Sequence, residues 1–326
     1  MLFGTWVTMI AGLGYIGVGA ITGKAVWSGV PVAVWAFLTL RLLHGMSTGF
    51  RPTGTTAFLT DITPLNRRGE ALGYLGVAGN AGMATGPALG SWLTVEWGIE
   101  WMFVASALLG MASVALTFPL EETLPEARPV NRSDFNLLDG GLIDPKAWPA
   151  ALVLLPVALA FGIYLTITPD FVDHLGYVYK GSFNTIIVVS SIAMRFIAGR
   201  MSDRHGRIPV LLAGTALMTV GMVVLGSAET KGMATLGALL YGASIGINMP
   251  TVFAWTTDLA QPGKIALALG TMLMALEVGI GAGALYSGMR FQGVIGRIPE
   301  LYYVGGFGTA IAAIALLPPL LKGRRS

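Results

Sequence analysis

The sequence contains no cysteine, three histidines and few charged residues. Without cysteine there can be no disulfide and no thiol nucleophile, and nothing indicates the redox compartment. His44, His174 and His205 lie far apart and lack metal-ligand spacing, so we expect no metal site and no cofactor. Charged residues make up 11% of the 326 residues, less than half the share of about 25% found in soluble domains. This composition excludes an ordinary soluble protein.

Hydrophobic residues and glycine dominate instead. Hydrophobic residues account for 54% of the chain, and there are 45 glycines, as expected where helices approach closely in lipid. The net charge of +3 then informs membrane topology. It does not indicate nucleic-acid binding, because aromatic residues are not interleaved with a basic patch. We predict an all-α, polytopic membrane protein that lies in the bilayer and binds no nucleic acid.

Ten apolar segments approach the length of about 20 residues that a helix needs to cross a bilayer. A long polar connection at 121–147 separates an N-terminal bundle of four spans (1–120) from a C-terminal bundle of six (148–326). The distribution of lysine and arginine between alternate connections predicts that both termini and this connection are cytoplasmic. The predicted spans are 2–21, 30–58, 71–95, 101–120, 148–169, 182–197, 208–225, 233–255, 265–286 and 301–321.

The chain repeats itself at a spacing of 197 residues. The second and third spans recur as the eighth and ninth in the same order and orientation, which is the pattern of parallel six-helix repeats. Since the first bundle has only four spans, the repeat favours a twelve-helix architecture without its first two helices. A natural ten-helix protein is the alternative. The matching segments are 42–49 with 239–246, 60–61 with 257–258, 71–73 with 268–270, Gly82 with Gly279 and Gly86 with Gly283.

A short basic segment, Gly-Arg-Met-Ser-Asp-Arg-His-Gly-Arg at 199–207, joins the sixth and seventh spans. We predict a cytoplasmic loop in which glycine permits a tight reversal. The segment resembles the signature loop of the major facilitator superfamily of transporters, G-x-x-x-D-R-x-G-R. This resemblance implies two helix bundles that transport by alternating access. Every fixed position of the pattern is filled, by Gly199, Asp203, Arg204, Gly206 and Arg207.

Polar residues recur along one face of the second span. Arg41, His44, Thr48, Arg51 and Thr55 are spaced by three and four residues. Because arginine inside a bilayer is costly, this face should look into a cavity. Arg41-x-x-His44-Gly resembles the family motif R-x-x-Q-G, with histidine in place of glutamine, and implies a part for Arg41 in proton coupling. Anchoring at a helix end is the alternative for Arg41, whereas we predict that Arg51 faces the substrate.

The third span carries a glycine stripe at Gly82, Gly86 and Gly90. Its Gly-Pro-Ala-Leu-Gly segment at 86–90, which includes Pro87, resembles the family's antiporter motif G-P-x-x-G-G, and Ser91 replaces the last glycine. The resemblance implies export of the substrate. A packing stripe with a kink is the alternative, because small residues at this spacing also suit close helix contact.

Further candidates for the substrate and proton pathway lie in the repeat-related spans. Glu277 is an isolated carboxylate in the apolar ninth span. Burial there would disfavour its charged form, which suits a proton carrier. Its repeat mate is the polar Asn80. Tyr241 and Asn248 of the eighth span complete the predicted pathway.

These features together predict a monomeric secondary active transporter of the bacterial inner membrane. The predicted activity is proton-coupled export of a small organic molecule, whose identity the sequence does not indicate. A proton symporter or facilitator for uptake is one alternative, and a fragment that does not transport is another. An enzyme is not expected, because no nucleophile–base pair or metal set is present in the sequence.

Overall fold

The computed structural model describes residues 2–19, 21, 26–27, 29–64, 67–121, 123, 143–261 and 264–317. Residues 46, 48, 49, 53, 69 and 266 are described by their backbone alone. Most of the polar connection predicted at 121–147 therefore lies outside the described residues. The same holds for the side chain of Thr48.

Ten α-helices make up nearly all of the described chain, and each predicted span coincides with one of them. The prediction of an all-α polytopic fold is thereby confirmed. A short antiparallel hairpin of β1 (Val26–Trp27) and β2 (Val30–Pro31) precedes the second helix. The helices are α1 Leu2–Gly19, α2 Val32–Ile62, α3 Arg68–Trp97, α4 Ile99–Thr117, α5 Trp148–His174, α6 Lys180–His205, α7 Arg207–Gly226, α8 Lys231–Leu259, α9 Ile265–Phe291 and α10 Ile298–Ala315.

Eight of these helices are long and apolar enough, by length and composition, to cross a membrane. The other two, α2 and α3, are the longest of unit 1, with 31 and 30 residues. They are less apolar because α2 carries Arg41 and Arg51 while α3 is rich in glycine. The two helices that carry most of the predicted pathway of the N-terminal bundle are thus the least suited to face lipid on all sides.

The chain forms two compact units, residues 1–129 (unit 1) and 130–326 (unit 2). In unit 1, α1 is the central helix and packs against α2 and α4, while α3 packs mainly on α4. In unit 2, α5 packs along α9, α6 along α8, and α7 against both α8 and α10. The largest fully buried side chains all belong to unit 2, among them Tyr241, Tyr302 and Phe183.

The packed part of unit 2 begins before its first long helix. The backbone N–H of buried Asp144 donates a hydrogen bond of 2.8 Å to the Thr271 hydroxyl of α9. One carboxylate oxygen of Asp144 accepts a 3.0 Å bond from the Lys146 N–H and caps the 3₁₀ turn Pro145–Ala147. Residues 144–147, which the sequence assigned to the connection, are therefore joined to the core of unit 2.

Candidate functional site

The signature segment is helical almost throughout. α6 continues to His205 and α7 begins at Arg207, so the loop predicted over 199–207 was too long. Partly buried Gly199 and the polar residues after it form the last two turns of α6. Gly206 alone makes the reversal, with φ at +87°, a conformation that glycine adopts without steric cost. The tight turn at this glycine is confirmed.

Arg207 joins the ends of three helices. Its Nε donates a 2.8 Å bond to Asp258 of α8. Its Nη1 donates to the hydroxyl of Ser202, at 2.9 Å, and to the carboxylate of Asp203, both in α6. The bonds to Ser202 and Asp203 explain why α6 stays helical to its end, since the helix places both groups within reach of one guanidinium. Arg204 is exposed. The segment thus holds the ends of α6, α7 and α8 together within unit 2.

The polar face of α2 is only partly covered. Arg41 and Arg51 are exposed, and His44 is partly buried. The Nδ1 atom of His44 and the hydroxyl of Tyr15 in α1 share a hydrogen bond of 3.1 Å. The aliphatic part of Arg51 passes directly beside Gly4, where a Cβ atom would lie 2.8 Å from its Cγ. α1 therefore supports one side of this face and leaves the guanidinium of Arg51 accessible.

A second contact between α1 and α2 lies between these two positions. The hydroxyls of Thr8 and Ser47 are 3.1 Å apart, and Ser47 is 1% exposed. The Ser47 hydroxyl also donates a 2.6 Å bond to the His44 carbonyl. Tyr15, Thr8 and Ser47 could not be assigned to this site from the sequence, because pairing between two helices leaves no local pattern. Their hydroxyl groups in the middle of apolar spans were the only available signal.

In unit 2 the predicted pathway residues lie in the interior. The ring of the fully buried Tyr241 packs 4.9 Å from that of Tyr164, whose hydroxyl donates a 3.0 Å bond to Asn184. Asn248 is 2% exposed and its amide lies against Gly214 of α7. Neither the Tyr241 hydroxyl nor the Asn248 amide has a hydrogen-bond partner among the described residues. A buried polar group without a partner is costly, and in the described part of unit 2 the side chains of Asp144, Ser191 and Ser287 also have such atoms.

The remaining predicted residues lie on exposed or partly covered surfaces. Glu277 is exposed on α9, so the burial that the sequence suggested for its carboxylate was wrong. Gly279, two residues further on, is packed against α5. Asn80 is partly buried on α3. Glu277 belongs to unit 2 and Asn80 to unit 1, and each lies on the helix where the repeat alignment put it.

The antiporter-like segment lies in the middle of α3, with Pro87 inside the helix. Gly90 faces Met102 of α4: a Cβ atom on Gly90 would lie 3.5 Å from the Cγ atom of Met102. Around Gly82 and Gly86, no heavy atom of the described chain other than the adjacent residues and backbone of α3 itself lies within 4 Å of a Cβ position. The close helix contact that the stripe predicts is therefore present at Gly90 alone within the part of the chain that is described.

The family of the chain follows from the comparison with known proteins. The model of the Major Facilitator Superfamily matches residues 2–284. The chain belongs to the major facilitator superfamily. It is accordingly a transporter, and an integral, multi-pass protein of the bacterial inner membrane.

Relatives and solved structures agree with this family. The MFS-type transporter YhhS of Escherichia coli K12 is 24% identical over 320 residues, 97% of this chain and 74% of that protein. Multidrug resistance protein MdtG of Yersinia enterocolitica is 28% identical over 237 residues, 69% of this chain and 56% of that protein. The crystal structure of a D-xylose-proton symporter matches 97% of this chain and 79% of its own, with a TM-score of 0.72 and 16% identity. That last likeness shows the fold alone.

Proposed function

We propose that this member of the superfamily exports a small organic molecule in exchange for protons, by alternating access and as a monomer. The observation that carries the proposal is Arg51. It lies ten residues before Asp61, about 15 Å along the helix from the cytoplasmic end of α2. Its guanidinium is exposed and makes no ion pair with another described residue. An accessible arginine near the middle of a membrane span is the expected feature of a pathway for a polar or anionic substrate.

The direction of transport rests on the third helix and on relatives. The Gly-Pro-Ala-Leu-Gly segment of α3 resembles the antiporter motif of the family, and Pro87 lies within the helix. The relative MdtG is named a multidrug resistance protein, and multidrug resistance is consistent with export. Both observations favour export over uptake for this chain.

Proton coupling is assigned to the ionisable groups of the helices. In unit 1 these are Arg41 and His44, the latter hydrogen-bonded to Tyr15. In unit 2 the candidate is the exposed carboxylate of Glu277 on α9. Ionisable groups within membrane spans are typical of proton relays. Protonation of Glu277 and binding of substrate near Arg51 would alternate during the cycle.

The test is transport into proteoliposomes that contain the purified chain, with a panel of fluorescent organic anions and cations and an imposed pH gradient. Antiport predicts that substrate accumulates on the acidic side and that a protonophore abolishes accumulation. Accumulation on the alkaline side would instead identify a symporter. If the substrate only reaches equal concentrations on both sides of the membrane, the chain is a facilitator. Symport or facilitated diffusion would each overturn the proposal.

Arg51 is tested in the same assay. We expect Arg51→Ala to reduce transport at least tenfold and Arg51→Lys to restore part of it, because lysine keeps the charge and loses the planar fork. Arg67→Ala is the matched control, since Arg67 is an exposed arginine of unit 1 whose ion pair among the described residues is with neighbouring Glu70. Equal transport by the Arg51→Ala and Arg67→Ala variants would remove Arg51 from the substrate pathway.

A further inference from the structure

A cavity opens at the end of unit 2 that lies opposite the Gly206 turn, where α5 and α7 end and α10 begins. Its volume is about 470 Å³, within the range of pockets that hold small organic molecules. We call it the outer cavity, because the predicted topology places this end on the outer side of the membrane. The residues that give it its chemical character are Phe171, His174, Ser227, Glu229, Ile298 and Tyr303.

The inner wall of the outer cavity is apolar and well packed. Phe171 and Ile298 are 4% and 2% exposed. The ring of Phe171 contacts the rings of Phe183 and Tyr302 edge to face, with centroid distances of 6.3 and 5.4 Å. A fixed aromatic wall of this kind suits the apolar or aromatic body of a ligand.

One side of the cavity is formed by the ring of Tyr303, which is 43% exposed and yet held in place. A Cβ atom on Gly226 would lie 2.7 Å from the Cε1 atom of this ring, so the ring packs directly on the backbone of α7. Gly226 does not have a positive φ, so the contact with the ring, and not the turn, requires glycine here. The Tyr303 hydroxyl is fixed as well, at 2.9 Å from the Ser227 hydroxyl. An exposed ring held in this way is a preorganised surface for a ligand.

The hydrogen bonds of Ser227 determine what the Tyr303 hydroxyl can offer. The Ser227 hydroxyl donates its proton to the carbonyl of Val223, at 2.9 Å. Because serine has a single hydroxyl proton, Tyr303 is the donor in the bond between the two hydroxyls. The Tyr303 oxygen then keeps its capacity to accept but has no proton for a ligand. An ionised carboxylate such as that of Glu229 is also only an acceptor, so these groups select a ligand that donates hydrogen bonds.

The charge around the outer cavity favours a cation. α5 ends at His174 and α7 at Gly226, and the C-terminal end of a helix carries partial negative charge. α10 begins at the cavity, but Pro299 in its first turn has no N–H to offer an anion. Glu229 adds a full negative charge and makes no ion pair with another described residue. The imidazole of His174, when neutral, can accept a further hydrogen bond.

The basic residues at this end of unit 2 are bonded to other groups. The ammonium of Lys231, two residues after Glu229, donates a 2.8 Å bond to the Gly176 carbonyl and lies 5.4 Å from the centre of the Tyr177 ring. The carboxylate of Glu229 is therefore available to a ligand. The basic residues that have such partners and stand outside the cavity lining are Lys180, Lys231, Arg290 and Arg297.

We propose that the outer cavity binds a protonated organic amine with an apolar or aromatic body. The body packs against Phe171, Ile298 and the ring of Tyr303, and the ammonium group donates hydrogen bonds to Glu229 and the Tyr303 hydroxyl. The amine belongs either to a dissolved molecule or to a lipid headgroup such as phosphatidylethanolamine, since both present the same group. The site lies in unit 2, whereas Arg51 lies in unit 1, so it holds whichever substrate the chain transports and in whichever direction.

Three ligands with the same indole body test the preference for a cation. Tryptamine carries an ammonium group, tryptophol a hydroxyl and indole-3-propionate a carboxylate on the same two-carbon chain. Titration calorimetry with the purified full chain in dodecyl maltoside measures their dissociation constants. We expect tryptamine to bind at least tenfold more tightly than the other two, because a charge-assisted hydrogen bond is stronger than a neutral one. Equal binding of tryptamine and indole-3-propionate would overturn the proposal.

Substitutions in the full chain locate the site. Glu229→Gln keeps the shape of the side chain but removes its charge, and it should weaken tryptamine binding at least tenfold. Tyr303→Phe removes the second acceptor and should weaken binding severalfold. Glu300→Gln is the matched control, since Glu300 is an exposed glutamate at the same end of unit 2 that pairs with Arg290 and does not line the cavity. Melting of each variant without ligand checks that it is folded.

The control variant also defines the contrary result. Unchanged tryptamine binding in Glu229→Gln, or equal losses in Glu229→Gln and Glu300→Gln, would show that the amine does not bind at the outer cavity. Either outcome would overturn the proposal.

The source of the amine is distinguished in nanodiscs. Tryptamine binding is compared in discs of phosphatidylcholine alone, whose quaternary ammonium cannot donate a hydrogen bond, and in discs that also contain phosphatidylethanolamine. At least tenfold weaker binding in the second discs assigns the lipid headgroup as the competing amine. Equal binding in both discs assigns a dissolved amine, and the ammonium site stands in either case.

Discussion

Unit 1 and unit 2 are related by an internal repeat, yet their equivalent helices have different surroundings. In unit 2, α8 and α9 are covered by α6 and α5 through glycine contacts, and the largest buried side chains of the described protein lie there. In unit 1, the equivalent α2 and α3 expose their glycines and two arginines. The comparison shows that repeat-related glycines can pack against a neighbouring helix in one unit and remain exposed in the other.

The largest expected effect separates the two glycine stripes. Gly283→Leu should destabilise the purified chain by about 3 kcal/mol, because the side chain must displace the backbone of α5. Gly86→Leu in the chain alone should change stability by less than about 1 kcal/mol, since its surroundings are open and leucine favours helix. Thermal melting in one detergent measures both. Similar losses in both variants would contradict the difference in cover between the units.

A second prediction compares two tyrosines at membrane depth. Tyr15→Phe removes the hydrogen bond to His44 and should cost about 1 kcal/mol. Tyr241→Phe removes a buried hydroxyl that has no partner among the described residues, so it should be neutral or stabilising. Melting of both variants tests the pair. A loss on Tyr241→Phe as large as that on Tyr15→Phe would mean that the Tyr241 hydroxyl is hydrogen-bonded in the membrane.

The smallest effect concerns the two repeat-related aspartates. Asp258→Asn breaks a partly exposed ion pair with Arg207 and should cost up to about 1 kcal/mol, less at high salt. Asp61→Asn, in the chain alone, should cost less, because its described partner is the neutral Thr123. A double-mutant cycle of Arg207→Gln with Asp258→Asn isolates the pair. The absence of coupling energy between the two substitutions would show that the Arg207–Asp258 pair does not stabilise unit 2.

The sequence predicted the architecture well because each helix needs its own apolar segment of membrane length, and such segments are visible locally. The turn at Gly206 was also predicted from a local signal, a glycine within a short charged segment. The length of α6 was not predicted. Ser202 and Asp203 remain helical because both accept hydrogen bonds from Arg207 across the turn. Apolar periodicity cannot indicate that a helix continues beyond the membrane.

Contacts between helices could not be predicted from the sequence, even at positions that the repeat aligned. Asp258 was aligned with Asp61, but nothing in the sequence paired it with Arg207. The hydrogen bond between Tyr15 and His44 joins residues of two helices and has no local signal. Tyr241 was predicted to belong to the substrate pathway, and it lies fully buried beside Tyr164, so its part in the pathway stays a prediction. A polar residue in an apolar span marks a position of interest, but it does not show whether that face of the helix is buried or exposed.

The central claim is that repeat-related helices are covered in unit 2 and open in unit 1. Hydrogen exchange of the purified chain in detergent, read by mass spectrometry, tests it directly on the matched segments 239–246 of α8 and 42–49 of α2. Protection reports the local free energy of opening, so we predict that amides at 239–246 exchange at least tenfold more slowly than those at 42–49. Equal protection of the two segments would contradict the account.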